Sequence, residues 1–205
     1  MATFYVARSE IITPLPWQTF ALPFSDAAGI VDTNGNGIRE WQGNDLALVL
    51  GIYEGRAAFR PSAETIQAML GAIGIGVEVR LSEYDANNAA LREGQIDLHL
   101  QAWGTAPQGD PAYFPETLMM SDAALNDGGY NNTHLDDLLR TGRQTFDIAE
   151  RKAIYDEVQA ILLHDLPIFP LFHTQQTSVG NGHVEGYRIH PAENFMVVPA
   201  LTLRQ

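Results

Sequence analysis

The sequence predicts an α/β domain in which a mixed β-sheet is flanked by helices. Short apolar runs that suit strands alternate along the chain with segments whose apolar residues recur at helical spacing. The clearest case is a strand, a helix and a second strand with short connections, a βαβ unit whose two strands are parallel. The chain has 205 residues, of which 45% are apolar, and this is enough to bury a core.

The N-terminal part is interrupted by prolines and turn residues. Residues 1–31 are predicted to be irregular with one short strand, since Pro14, Pro16 and Pro23 cut the apolar pieces. Residues 32–40 form an Asn/Gly-rich turn cluster. This part of the chain therefore contributes one short strand to the prediction.

The βαβ unit follows the turn cluster. A buried strand is predicted over Leu46–Tyr53, and a helix with Ser62 as its N-cap ends near Gly74. Val77–Leu81 alternates between apolar and other residues, which is typical of a strand. A further helix, Asn87–Arg92, and a further strand, Ile96–Ala102, are expected next.

The C-terminal half is predicted to begin with a polar block and continue with helices. Residues 103–132 are rich in Gly, Pro, Asp and Asn, and helices are expected around Leu135–Leu139 and over Ile148–His164, the second capped by Asp147 or Thr145. Strands over residues 168–173 and 177–179 and an extended tail over residues 195–203 complete the prediction.

Composition and missing motifs exclude several classes of function. With 25 acidic and 12 basic residues, the net charge is −13, which disfavours nucleic acids and anionic membrane surfaces as partners. The absence of cysteine excludes disulfides and thiolate metal sites. No nucleophile elbow, phosphate-binding loop or dinucleotide-binding motif is present. We therefore expect neither an enzyme nor a cofactor, with a stand-alone α/β sensor or enzyme domain as the alternative.

Several segments, in this order, resemble the C-terminal half of the peptide/nickel solute-binding proteins of ABC importers, known as extracellular solute-binding proteins of family 5. The matching segments are Asp32-Thr-Asn-Gly-Asn-Gly-Ile-Arg-Glu40, Gly71-Ala-Ile-Gly-Ile-Gly-Val-Glu-Val79, Gly94-Gln-Ile-Asp-Leu98, Ala102-Trp-Gly104, Gly109-Asp-Pro-Ala-Tyr-Phe114, Gly129-Tyr-Asn-Asn132, Leu135-Asp-Asp-Leu-Leu139, Glu150-Arg-Lys-Ala-Ile-Tyr155 and Asp165-Leu-Pro-Ile-Phe-Pro170. Each segment alone is a weak signal, and their common order carries the resemblance.

The resemblance implies the C-terminal lobe of a type II-like (cluster C) periplasmic binding protein. Residues 1–25 are an unassigned lead-in, residues 26–180 the ligand-binding lobe, and residues 181–205 a closing segment that returns toward an N-terminal lobe outside this sequence. The expected partners are a small-molecule ligand, that missing lobe and the membrane permease of an ABC importer. The expected location is periplasmic or otherwise extracytoplasmic and membrane-associated, with the signal or anchor outside this sequence.

The loop after the strand Ile96–Ala102 is the predicted ligand site, because ligands of open α/β sheets lie beyond the carboxyl ends of strands. Trp103 offers a flat apolar face and an N–H donor, although a core position is the alternative for this residue. Its neighbour Gly104 belongs to the same site, and Thr105 and Gln108 would donate or accept hydrogen bonds. His173, at the end of a predicted strand, is a further candidate.

The resemblance also bears on the ligand. Peptide-binding relatives place an Asp a few residues after this Trp, where it pairs with the peptide's amino group, whereas here no acid occurs before Asp110. Asp110 itself is predicted to cap a helix. An ammonium buried without a partner is costly. The segment Thr105-Ala-Pro-Gln-Gly-Asp-Pro-Ala-Tyr-Phe114 resembles that of family members that bind nickel chelates or opine-type metallophores. The resemblance therefore favours such a ligand, and a di- or oligopeptide is the alternative.

The turn cluster has a second interpretation. Asp32, Asn34 and Asn36 occupy positions 1, 3 and 5 of a calcium-loop pattern, but position 12 is Gly43 instead of the bidentate Glu. A tight Asn/Gly turn is favoured, and a weak calcium site is the alternative.

Overall fold

The chain forms two compact units that adjoin in sequence between residues 101 and 102. The computed structural model describes residues 18–104, 107, 109–172, 179, 182–187 and 201–204. The predicted lobe of residues 26–180 takes in parts of both units, and its boundaries stay a prediction. The two units are described separately.

The first unit contains three helices and five strands among its described residues. These are α1 (Gln18–Ala27), β1 (Glu40–Trp41), β2 (Asn44–Asp45), β3 (Ala47–Tyr53), α2 (Phe59–Gly71), β4 (Gly76–Ser82), α3 (Tyr84–Arg92) and β5 (Leu98–His99). Strands β1 and β2 form a small antiparallel hairpin. The other three strands form a sheet in the order β4-β3-β5.

The three-stranded sheet is parallel throughout. The central strand β3 pairs Leu50 with Val79 of β4 and with Leu98 of β5. Its apolar run is the most buried part of the unit, with Leu50 at 2% and Ile52 at 1% exposure, as expected for a strand between two neighbours. The predicted βαβ unit and its parallel pairing are confirmed.

A close approach fixes the packing of helix α3 on this sheet. Asn87 is fully buried and its Nδ2 donates to the carbonyl of Ile52 at 3.0 Å and to the Ser82 hydroxyl at 3.1 Å. A Cβ on Gly51 would lie 2.7 Å from Ile96 Cδ1 and 3.0 Å from Asn87 Oδ1. Glycine at this position therefore lets the helix and the strand connection come together.

Helix α1 corrects the prediction of irregular structure before residue 31. Pro23 lies inside this helix, where it removes one backbone hydrogen bond. The hydroxyl of Ser25 donates to the carbonyls of Ala21 at 3.1 Å and Leu22 at 2.9 Å. Both bonds lie in the turn that contains Pro23, and the helix continues beyond the proline to Ala27.

Two further local predictions are wrong in detail. Helix α2 begins at Phe59 and its N-cap residue is Ala58, so Ser62 lies within the helix instead of capping it. Strand β5 is limited to Leu98–His99, shorter than predicted. Its hydrogen bonding continues on both sides, because Asp97 N donates to Val49 O and Leu100 N donates to Gly51 O, both at 3.0 Å.

The second unit is helical around a small apolar core. It contains α4 (Tyr113–Leu118), α5 (Thr133–Gln144), α6 (Ile148–Asp165) and a hairpin of β6 (Val184–Glu185) and β7 (Thr202–Leu203). Residues from α5, α6 and the segment around α4 form the core: Ala112, Met119, Met120, Leu135, Leu139, Tyr155 and Val158.

Side-chain caps set the starts of the two longer helices. Asn132 accepts from Leu135 N at 3.1 Å, and Asp147 accepts from Ala149 N at 3.0 Å and Glu150 N at 2.9 Å. The prediction that Asp147 or Thr145 caps the long helix is thus settled for Asp147. Each cap satisfies N–H groups that the first turn of a helix leaves without a partner.

The strand predicted over residues 168–173 is not formed in its described part, residues 168–172. Pro167 and Pro170 have no N–H to donate to a sheet ladder, and Phe169 is 71% exposed. Of the other segments expected to be strands or extended, residues 173, 177–178 and 195–200 lie outside the described residues. Val179 is in no strand, and residues 202–203 form β7. Across the described part of the chain, no helix combines the length and apolar character that a membrane span requires.

Candidate functional site

Trp103 is half-buried at the start of the second unit and lies parallel to a second aromatic ring. Its indole stacks on Tyr113, the first residue of helix α4, with 6.5 Å between ring centroids and 16° between ring planes. Offset stacking of this kind restricts the orientation of both rings. The half-buried position fits neither a fully enclosed core residue nor a freely exposed one.

Asp110 closes the polar segment that follows Trp103. Its Oδ1 accepts from the backbone N–H of Ala112 at 2.9 Å, and Tyr113 N donates to its carbonyl at 3.4 Å. The prediction that Asp110 caps helix α4 is wrong, because the N-cap residue is Ala112 and no side chain makes the cap hydrogen bond. The Asp110 carboxylate instead holds the turn that leads into the helix.

The carboxylate of Asp110 also pairs with Arg151 of helix α6. Arg151 Nη2 lies 2.8 Å from Oδ1 and 3.1 Å from Oδ2. The Nε of Arg151 donates to the carbonyl of Gly142 in α5 at 3.0 Å, and its guanidinium lies 5.2 Å from the centroid of the Tyr155 ring. One side chain thus joins the segment before α4 to both long helices.

The electrostatics of this pair favour two charged partners. The N–H of Ala112 lowers the pKa of Asp110 below its ordinary value, opposed by partial burial and reinforced by Arg151. Asp110 in turn raises the pKa of Arg151. At neutral pH the pair is therefore fully ionised, and the negative charge of Asp110 is neutralised within the protein.

A second polar cluster joins the start of α5 to the end of α6. Asp165 Oδ2 accepts from the Tyr130 hydroxyl at 2.5 Å and from Asn132 Nδ2 at 3.1 Å. His164 Nδ1 lies 2.9 Å from the other carboxylate oxygen. Hydrogen bonds from His164 first, and then from Tyr130 and Asn132, lower the pKa of Asp165 to about 2.

The turn of residues 32–37 uses its side-chain oxygens internally. Asp32 accepts from Gly35 N at 2.7 Å and from Gly37 N at 2.9 Å. Asn34 Oδ1 accepts from Asn36 N at 2.9 Å, and Asn36 Oδ1 accepts from Ile38 N at 2.7 Å. These are the bonds of an Asx-type turn.

Neighbouring carboxylates complete the same turn. Glu40 accepts from Thr33 N at 2.7 Å, which lowers its pKa, and Asp45 accepts from the amide groups of Asn34 and Asn36. In the part of the chain that the structure describes, no group of three or more His, Asp or Glu side chains is arranged to hold a metal. The geometry favours the turn interpretation, and calcium binding by Asp32, Asn34 and Asn36 stays a prediction.

The predicted ligand residues are only partly within the described chain. Trp103 and Gly104 are described, whereas Thr105, Gln108 and His173 lie outside the described residues. Their contact with a ligand stays a prediction. Sequence reasoning gave no role to Tyr113 or Arg151, although Arg151 and Tyr155 show the i, i+4 spacing that places side chains on one helix face.

Comparison with known proteins identifies the family. Residues 25–125 match the profile described as "Bacterial extracellular solute-binding proteins, family 5 Middle". The chain belongs to this family of solute-binding proteins. The resemblance inferred from the order of the short motifs is therefore confirmed.

The names of similar proteins refer to different ligands. The nickel-binding protein NikA of Staphylococcus aureus is 27% identical over 153 residues, which are 74% of this chain and 31% of that protein. Di/tripeptide-binding protein 4 of Pseudomonas aeruginosa is 27% identical over 164 residues, 77% of this chain and 31% of that protein. The chain thus spans about a third of the length of these relatives.

Solved structures share the fold. NikA from Brucella suis in complex with Fe(III)-EDTA has a TM-score of 0.74 and 23% identity, over 100% of this chain and 42% of that one. AppA from Bacillus subtilis in complex with a nonapeptide has a TM-score of 0.71 and 21% identity, over 91% of this chain and 37% of that one. The predicted α/β fold of a family 5 binding protein is confirmed.

Proposed function

We propose that this chain provides one wall of the ligand cleft of an ABC-importer binding protein whose ligand is a nickel chelate or an opine-type metallophore. In this proposal the chelator, and not the protein, holds the metal. Trp103 gives the ligand a stacking face, Gly104 lets the ligand approach the backbone, and Thr105, Gln108 and His173 supply polar contacts. No resident cofactor and no catalysis are involved.

The observation that carries this proposal is the ion pair of Asp110 with Arg151. Asp110 is the only acidic residue from Trp103 to Asp110, and both of its carboxylate oxygens are within 3.1 Å of the guanidinium. A peptide's ammonium group needs a carboxylate when it leaves water. An anionic or neutral chelate does not need one, so it suits this loop better than a peptide.

A peptide is the second candidate, and the relatives support it. Di/tripeptide-binding protein 4 and the oligopeptide-binding protein AppA are as similar to this chain as several other family members. A peptide whose amino group is bound elsewhere in the cleft would need no acid in this loop. A stand-alone sensor or enzyme has less support, since the family consists of solute-binding proteins.

The proposal includes a second lobe and a membrane partner. Matched relatives are about three times as long as the regions they share with this chain, and hinge closure traps a ligand between two lobes. We expect the bound form to dock on an ABC permease at the outer face of the membrane. The predicted periplasmic or extracytoplasmic, membrane-associated location belongs to the same proposal.

Isothermal titration of the protein expressed from its complete reading frame tests the ligand. We expect saturable binding of nickel with two equivalents of L-histidine, and no binding of a dipeptide mixture under the same conditions. The variant Trp103→Ala should weaken chelate binding by about 10- to 100-fold, as removal of a central aromatic contact does.

The matched control is Trp41→Ala. Trp41 is 47% exposed in strand β1 of the first unit, and its replacement should leave the affinity unchanged. Tight dipeptide binding without any response to the chelate would overturn the ligand assignment. Equal affinity of Trp103→Ala and the unsubstituted protein would remove Trp103 from the site.

A further inference from the structure

We infer that Arg151 is a positioning residue for the ligand loop: it holds Asp110 in place and thereby sets the orientation of Trp103. The expected effect on ligand binding rests on the proposed function, whereas the effect on the orientation of Trp103 can be tested without a ligand. Arg151 lies on helix α6, 41 positions beyond Asp110 in the sequence. Its role follows from three sets of contacts.

The first set fixes Arg151 itself. Its Nε–H donates to the Gly142 carbonyl at 3.0 Å, and its guanidinium lies over the ring of Tyr155. Tyr155 is 4% exposed and part of the core. The Arg151 side chain is 28% exposed. A guanidinium held by a carbonyl and a buried ring has little rotational freedom, so it presents its Nη2 at one place.

The second set transmits that position to helix α4. Arg151 Nη2 contacts both oxygens of Asp110, and the same carboxylate accepts from Ala112 N at 2.9 Å. Asp110 is therefore held from two directions, by α6 and by the turn that begins α4. Loss of either bond leaves the start of α4 with fewer constraints.

The third contact connects α4 to the predicted ligand face. Tyr113 is the first residue of α4 and stacks on Trp103 at 6.5 Å. A shift of the α4 start moves the Tyr113 ring, and the indole loses its parallel neighbour. Arg151 thus acts on Trp103 through Asp110 and Tyr113 without contacting the indole in any of these bonds. Preorganised contact groups bind more tightly because less ordering is left for the binding step.

The same pair also affects the charge of the loop. With Arg151 present, the Asp110 carboxylate has a cationic partner inside the protein. Without it, a half-exposed anion remains next to the segment that carries Trp103, and an anion favours cationic ligands. Arg151 therefore orients the loop and also shields the loop's single carboxylate from the ligand.

The test uses the protein from its complete reading frame in which every tryptophan except Trp103 is replaced by Phe, Trp17 and Trp41 of this sequence included. In this background we compare Arg151→Met, Arg151→Lys and Asp110→Asn. Asp110→Asn keeps a side-chain oxygen for Ala112 N but removes the ion pair. The control is Arg140→Met. The Arg140 side chain is 50% exposed and pairs at 3.2 Å with Asp137, which lies on α5 as Arg140 does.

Without ligand, Arg151→Met and Asp110→Asn should red-shift the Trp103 emission and increase its quenching by acrylamide. The emission shift and the quenching of Arg151→Lys should be intermediate between those of Arg151→Met and the reference, because Lys keeps the positive charge but lacks the planar guanidinium. Arg140→Met should match the reference. Unchanged emission and quenching in both Arg151→Met and Asp110→Asn, with the fold retained by circular dichroism, would overturn the inference.

With ligand, Arg151→Met should raise the dissociation constant for the nickel–L-histidine chelate by about 10-fold. It should also raise the relative affinity for a dipeptide amine, a change that general destabilisation would not produce. A chelate affinity that stays unchanged in Arg151→Met would overturn the inference. If the unsubstituted protein binds no chelate, the proposed function fails, and the fluorescence comparison alone decides the positioning role.

Discussion

The packing of helix α5 on α6 predicts a cost for one added methyl group at Gly142. This glycine is buried within α5, and a Cβ there would lie 3.0 Å from the Tyr155 hydroxyl oxygen and 3.1 Å from Tyr155 Cζ. Both contacts are shorter than ordinary van der Waals separations, and the Tyr155 ring is enclosed in the core. The ring cannot move away without disturbing its neighbours.

The expected size follows from two opposing effects. Alanine in a helix interior is favoured over glycine by about 1 kcal/mol. Overpacking of a filled core costs about 1–3 kcal/mol. Gly142→Ala should therefore lower the free energy of unfolding by about 1 kcal/mol, and by at most about 2 kcal/mol, which corresponds to a fall in Tm of about 2–4 °C per kcal/mol for a chain of this size.

Urea and thermal unfolding followed by circular dichroism measure this effect, and two companion variants make it specific. Gly71→Ala is the control, because a Cβ on Gly71 meets no atom within 4 Å, and it should be neutral or stabilising. In a Tyr155→Phe background the 3.0 Å contact is absent, so Gly142→Ala should cost less. A Gly142→Ala protein as stable as Gly71→Ala, or a cost identical in both backgrounds, would refute the packing argument.

Three other predictions concern stability. Gly51→Ala should destabilise by about 1–3 kcal/mol in urea unfolding, because its Cβ would lie 2.7 Å from Ile96 Cδ1. The pKa of Asp165 is lowered to about 2, so its contribution to the free energy of unfolding is complete above pH ~4 and is lost as pH falls toward 2. Asp165→Asn should therefore reduce the fall of the urea midpoint between these pH values. An unchanged pH dependence of the midpoint would contradict the assignment. Asp32→Ala should lower the free energy of unfolding by about 1–3 kcal/mol even in EDTA, because the turn loses its hydrogen bonds to the carboxylate. A Tm of the unsubstituted protein that rises with millimolar calcium would instead support the metal interpretation.

Features set by neighbouring residues were predictable from the sequence. Strand β3 was visible as an apolar run and α6 as a periodic segment with Asp147 at its start, because burial of a central strand and capping of a helix depend on local spacing. The parallel pairing of β3 with β4 followed from the short helical connection between them. The family was recognisable from the order of short motifs, each of which is weak alone.

Features set by distant residues were not predictable. Asp110 has the same local pattern whether it only holds a turn or also pairs with Arg151, and the separation of 41 positions hides the second role. The stacking of Trp103 on Tyr113 depends on the path of the segment between them. Helix α1 was missed because Pro23 normally argues against a helix, and the Ser25 hydroxyl bonds that accompany it leave no periodic signal.

We propose that the loop beginning at Trp103 binds a metal chelate. Crystals of the protein from its complete reading frame, grown with nickel and L-histidine, test it through anomalous scattering at the nickel edge. We expect one strong nickel peak beside the Trp103 indole, coordinated by chelator atoms, with Asp110 still paired to Arg151. A peptide in the cleft with its amino group on Asp110, or a nickel peak held by protein side chains away from Trp103, would contradict it.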